Sequence, residues 1–252
     1  MLKKFLLLFI LLGFSTLKLS AATENLQYSS NYAAQGAVAD ENENNVEEDS
    51  YEDPINVTDS YIRSLYTQLG LSSKLEFSIF ERGYRGYLAT PDRKKGQFTI
   101  IDYTKASDEN RFFVIDLKNM VLKFESLVAH GKNSGFTLPI NFSNTRNSFQ
   151  TSLGFYKTGE SYDGSYGYSL RLVGLEEGFN SNAYERRIVI HGSNDVTTEF
   201  IQQTGFLGRS DGCPVLPPSI VRAVIDFIKD GSVIYVIGND SRYLGDSTYI
   251  SM

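Results

Sequence analysis

The chain has 252 residues, enough for one sizeable domain plus a tail. It carries 30 acidic against 24 basic residues, a formal net charge of −6. That balance argues against a nucleic-acid partner. There is no phosphate loop and no dinucleotide fingerprint, so nothing calls for a nucleotide cofactor.

The first residues read as a secretory leader. Lys3 and Lys4 precede an apolar run, Phe5 to Phe14, and Ser20, Ala21 and Ala22 offer small residues for cleavage after Ala22. The run is too short, and too closely followed by Lys18, to favour a membrane span. An uncleaved leader that keeps the protein near the membrane stays open. The expected compartment is beyond the inner membrane, in the periplasm or cell envelope. Residues 23–56 follow as an acidic linker. From Thr23 to Pro54 there is no Lys or Arg, and nine acidic residues run from Glu24 to Asp53. Such a stretch buries too little apolar area to offset its ordering entropy, and reads as a disordered tether. From residue 55 onward acids and bases balance, which sets off a domain over 57–252.

The domain opens with a helix over about Asp59–Leu69. Ile62, Leu65, Tyr66 and Leu69 share one face, Thr58 to Ser60 can cap it, and Gly70 can end it. A second helix follows Ser72 or Ser73, with Leu75, Ile79, Phe80 and Tyr84 on its apolar side. Strands come next: Phe98–Tyr103, Phe112–Leu117, Val121–Val128, Ser169–Val173 and Arg187–Ile190. Two polar, glycine-bearing stretches, Gly131–Ser148 and Gly154–Gly167, read as long loops; the second carries Tyr156, Tyr162 and Tyr166. Ser219–Lys229 has the stripe of a helix stopped by Gly231. Val233–Ile237 suits an interior strand. The class is mainly β with a few helices.

The chemistry concentrates late in the chain. Arg186 to Gly192 ends an apolar strand on His191-Gly192, and Gly208 to Pro214 contains Gly212-Cys213. Cys213 is the only cysteine. A lone thiol in an exported protein is either a small buried filler or a functional group. A nucleophilic thiol needs an imidazole to take its proton, and a strand end can present His191 rigidly. Gly212 permits a sharp turn, and the N–H groups of Gly212 and Cys213 can face an oxyanion. A zinc site would need more ligands than His191, Cys213 and His130, the only His and Cys residues.

These residues resemble the L,D-transpeptidase catalytic-domain family of the YkuD-like superfamily. His191-Gly192 followed by Ser210-Asp211-Gly212-Cys213 matches the superfamily motif. Gly208 to Pro214 matches a subgroup with a Gly-Arg-Ser-x-Gly-Cys-Pro signature. Ala129-His130-Gly131 with Ser134-Gly135, Phe142-Ser143-Asn144, Ser152 to Tyr156, and Gly174-Leu175-Glu176 are similar to that subgroup too. The resemblance covers about residues 58–238. It implies a β-sandwich or barrel catalytic domain with N-terminal helices, no cofactor and no metal, and peptidoglycan stem peptides as partner. It also implies that Cys213 attacks the bond between a diamino acid and the terminal D-alanine of a stem tetrapeptide. His191 then takes the thiol proton and later protonates the leaving amine, and a second amine resolves the acyl-enzyme.

Around this centre, Arg209, Ser210, His130, Tyr156 and Gly192 are expected to meet substrate. Arg209 is read as binding a stem carboxylate or as a surface ion pair. Ser210 either supports the cysteine loop or fills a turn. His130 either lines the cleft or is a satisfied structural histidine. Asp211 stands where the superfamily often has a second histidine, and reads as a solvated turn carboxylate. Two other outcomes stay open: an L,D-carboxypeptidase that uses water as acceptor, and a non-catalytic wall-binding protein on the same fold. The sequence leaves oligomeric state unassigned.

Overall fold

The computed structural model describes residues 51–250. The leader and the acidic linker up to residue 50 lie outside the described residues. The last residues of that linker depart from the tether reading. Tyr51 packs its ring on Gly96, Glu52 pairs with Lys95 at 2.6 Å, and Asp53 pairs with Arg93 at 2.5 Å. One aromatic and two ion-paired acids give this stretch the apolar area and charge partners that its composition concealed, so the folded unit begins before residue 57.

Helix α1, Asp59–Gln68, is capped by Thr58, whose hydroxyl accepts from the N–H of Tyr61 at 3.2 Å. Its stripe of Ile62, Leu65 and Tyr66 is buried. Helix α2 spans Phe77–Ala89, starting later than expected, and its glycines admit sheet side chains closely. At Gly86 an added Cβ would fall 2.1 Å from the ring of Phe155.

The sheet has eight strands: β1 Gln97–Asp102, β2 Phe112–Asp116, β3 Val121–Ser126, β4 Gly154–Gly164, β5 Gly167–Gly174, β6 Val189–Gly192, β7 Val215–Leu216 and β8 Val233–Ile237. Their order is β3-β2-β1-β8-β4-β5-β6-β7. All five residues of β8 are buried, as suits a strand flanked on both sides. It runs parallel to β1 and antiparallel to β4. Each fully buried valine or isoleucine there contributes roughly 1.5–3 kcal/mol over exposure. Helices α3 (Thr198–Thr204), α4 (Pro218–Ile228) and α5 (Ser241–Asp246) complete the mainly β architecture.

Two sequence readings change. The stretch 154–167 is not a loop but β4 and the turn of a long hairpin with β5. Only its first residues are continuously buried, so its polar second half shows no strand alternation. The strand expected from Arg187 begins at Val189 instead, because Arg187 takes a left-handed φ of 57°.

Candidate active site

Two backbone segments hold the cysteine loop. His191 of β6 lies opposite Val215 of β7 in parallel register. On the other side, the N–H of Ala129 donates to the carbonyl of Val215 at 2.9 Å. The N–H of Ser210 donates to the carbonyl of His130 at 2.9 Å, and that of Lys132 to the carbonyl of Ser210 at 2.7 Å. The loop is also braced from within. Ser210 Oγ donates to the Cys213 carbonyl at 2.6 Å and accepts from the Gly212 N–H at 3.0 Å. Gly212 itself takes φ 123°, and a Cβ there would meet the Gln150 carbonyl oxygen at 2.9 Å.

Cys213 and His191 line one cavity of about 240 Å³, together with Tyr166, Asp195, Arg209 and Asp211. Cys213 also lines a second cavity of about 690 Å³. The thiol is therefore open to two spaces although the residue is only 8 % exposed. Its S–H donates to the Arg187 carbonyl at 3.8 Å. Burial pushes the thiol up to about 11, opposed by the Val189 N–H and reinforced by the Asp211 charge. Burial also pushes His191 below the ordinary imidazole value, against the pull of the Gly192 carbonyl and Asp195. Both groups are thus uncharged at neutral pH. His191 Nδ1 lies 3.2 Å from the Gly192 carbonyl. A carbonyl can only accept, so Nδ1 carries the proton and Nε2 keeps a free lone pair.

Several expected residues meet in the first cavity: Cys213, His191, Gly192, Arg209 and Ser210. Arg209 lies over the Phe136 ring at 4.7 Å and makes a long 3.5 Å bond to the Gly135 carbonyl. It has no carboxylate partner among the described residues, so the ion-pair reading falls away. Three expectations are corrected. His130 is fully buried, with Nδ1 accepting from Arg111 at 2.8 Å and Nε2 donating to the Gly135 carbonyl at 3.2 Å. Its ring is structural and does not line the cleft. Tyr156 is buried as well, its hydroxyl donating to the Ser152 carbonyl at 2.8 Å, in the part of β4 that pairs with β8. The Gly212 N–H is committed to Ser210, so it is not an oxyanion donor. Asp211 is exposed and pairs with Lys132 at 2.7 Å.

One residue at the site and one backbone role are not singled out by the sequence. Tyr166, at the turn of the β4–β5 hairpin, stacks on His191 with ring centres 4.5 Å apart. The Gly192 carbonyl orients the imidazole, a role that no side-chain signal reveals. Among the described residues, no group of three His, Cys, Asp or Glu is placed to hold a metal ion.

The family described as L,D-transpeptidase catalytic domain matches residues 71–237. No curated protein matches the chain. Solved structures resemble it weakly. An L,D-transpeptidase from Mycobacterium smegmatis is 13 % identical over 57 % of this chain and 59 % of its own, with a TM-score of 0.35. One from Stackebrandtia nassauensis is 16 % identical over 72 % and 78 %, with a TM-score of 0.34. L,D-transpeptidase 1 of Mycobacterium tuberculosis is 15 % identical over 57 % and 62 %, with a TM-score of 0.32. The chain thus spans about three fifths of the length of the first of these.

Proposed function

The chain belongs to the L,D-transpeptidase catalytic domain family, and on that premise we propose that it is a peptidoglycan acyltransferase using Cys213 as nucleophile and His191 as base. The observation that carries this reading is the position of Cys213, whose thiol is shared by two cavities while His191 lines only the smaller one. A two-substrate acyl transfer needs that arrangement: one space for the acyl group, and one beside the base for the amine that leaves or arrives.

With both groups neutral at rest, the attack is general-base catalysed. His191 Nε2 takes the thiol proton as sulfur bonds to the carbonyl carbon joining the diamino acid to D-alanine. The N–H of Cys213 faces the developing oxyanion. When the C–N bond breaks, the imidazolium returns its proton to the departing amine, leaving a thioester and free D-alanine. Arg209, without a carboxylate of its own, receives the D-alanine carboxylate as a bidentate partner. An acceptor amine then enters by the same side, because the second step retraces the first. It attacks the thioester, gives its proton to His191, and the C–S bond breaks with return of the thiol. The leader and acidic linker fit an enzyme working outside the inner membrane on stem peptides.

Product masses after incubation with muropeptides test this reading. Cross-linked dimers with equimolar D-alanine are expected. D-alanine release without dimers would make water the acceptor and the protein a carboxypeptidase; no release at all would leave a wall-binding protein.

A further inference from the structure

Four arginines, Arg146, Arg171, Arg186 and Arg187, are among the residues that line the larger cavity beside Cys213. Two of them are committed. Arg171 pairs with Glu160 at 2.5 Å and lies over the Tyr162 ring at 4.4 Å. Arg186 donates to the Ser143 carbonyl at 2.7 Å, the Gln150 carbonyl at 2.6 Å and Ser152 Oγ at 3.1 Å, which ties the neighbouring loop to the cavity wall. The guanidiniums of Arg146 and Arg187 are exposed and have no partner among the described residues. Against them stand two carboxylates: Glu185, also without a partner, and Asp211, already paired with Lys132. The uncommitted charge lining the cavity is therefore cationic on balance, two guanidiniums against one carboxylate. Arg187 is also tied to the reacting atom, since its own carbonyl accepts the thiol proton and its backbone is fixed in a left-handed turn.

The acyl-transfer reading puts the amine side of the scissile bond in the smaller cavity with His191. The acyl side then occupies the larger one. The acyl residue is a diamino acid, and its far end comes in two chemical forms. A lysine-type residue ends in a bare ammonium, which two free guanidiniums would repel. A diaminopimelate-type residue ends in an α-amino carboxylate, whose carboxylate fits a planar guanidinium in bidentate fashion. Asp211 lines both cavities and offers the ammonium of such a zwitterion a carboxylate. Resting on the acyl-transfer reading, we propose that the larger cavity selects donor stems whose diamino acid ends in a carboxylate, with Arg187 and Arg146 as the specificity-determining residues.

The test is the rate of acyl-enzyme formation, followed by intact mass, on three tetrapeptides that differ only at the third residue. These carry meso-diaminopimelate, diaminopimelate with its far carboxylate amidated, and L-lysine. The unaltered enzyme is expected to favour the free carboxylate by about 10- to 100-fold over the other two. Arg187→Ala or Arg146→Ala is expected to collapse that ratio. Equal rates on all three peptides, or a ratio that survives both substitutions, overturns the selectivity while leaving acyl transfer standing. No adduct with any of the three overturns the acyl-transfer reading and the selectivity together. The amidated peptide needs no substitution, so a variant that fails to fold does not remove the test.

Discussion

The chain's two histidines sit in regions that use the same ring in opposite ways. His130 is packed beside Arg111, which is itself fully buried and bonds the Val128 and Lys105 carbonyls. Both of its ring nitrogens are consumed, one accepting from Arg111 and the other donating to Gly135. His191 uses only Nδ1, toward its neighbour's carbonyl, and its other nitrogen is left for a cavity that also holds a thiol. Burial lowers the proton affinity of both. Desolvation alone therefore does not mark a catalytic base. What separates them is a free lone pair facing space that a substrate can enter.

The sharpest way to break this comparison is to remove each ring. His191→Gln should lower acyl-enzyme formation by about 10²- to 10⁴-fold, the range of a positioned general base, with thermal stability little changed. His130→Ala should instead destabilise the fold by about 2–4 kcal/mol, because it leaves a buried guanidinium hydrogen uncompensated and opens a cavity. Denaturant melts of the two variants read the difference. If the His130 variant melts normally and loses acylation, the assignments are reversed.

Stability against pH separates them again. His130 is held down to about 4 by desolvation and by Arg111. The unfolded chain, near 6.5, binds the proton more readily. The native state should therefore keep its full His130-linked stability above about pH 6.5. It should lose about 3 kcal/mol as pH falls toward 4, with little further change from this group below that. Urea midpoints from pH 4 to 8 check the sign, and His191→Gln should preserve most of the slope. Activity has its own limb. In the proposed mechanism neutral His191 is the base, and its value is lowered, so acylation should persist below pH 6.5 and fall only beneath the lowered value.

The smallest effect belongs to Tyr166. Its exposed ring covers one face of His191, so Tyr166→Ala should admit water, raise the imidazole toward its ordinary value, and slow acylation by about 3- to 10-fold. An unchanged acid limb would show that the stacking does not shield the base.

Legibility from sequence followed packing. The apolar stripe of α1 and the run of β8 were readable because one is periodic and the other fully buried. The Gly-Cys piece is readable because glycine beside a reactive side chain permits a sharp turn, and the His-Gly piece because it ends an apolar strand. The hairpin of β4 and β5 was not, since its outer half is polar on both faces. The same polar half hides which tyrosine reaches the site. Tyr156 lies in the half paired with β8, whereas Tyr166 lies at the tip that reaches across to His191. Position along the chain points to the Gly212 N–H as an oxyanion donor, whereas in three dimensions Ser210 already takes it.

The central claim is that Cys213 becomes acylated. Incubation with a stem tetrapeptide, acid quench and peptide mapping by mass should find the acyl group on the peptide containing Cys213, with one D-alanine released per adduct. Release of D-alanine at an undiminished rate by Cys213→Ala would contradict the account.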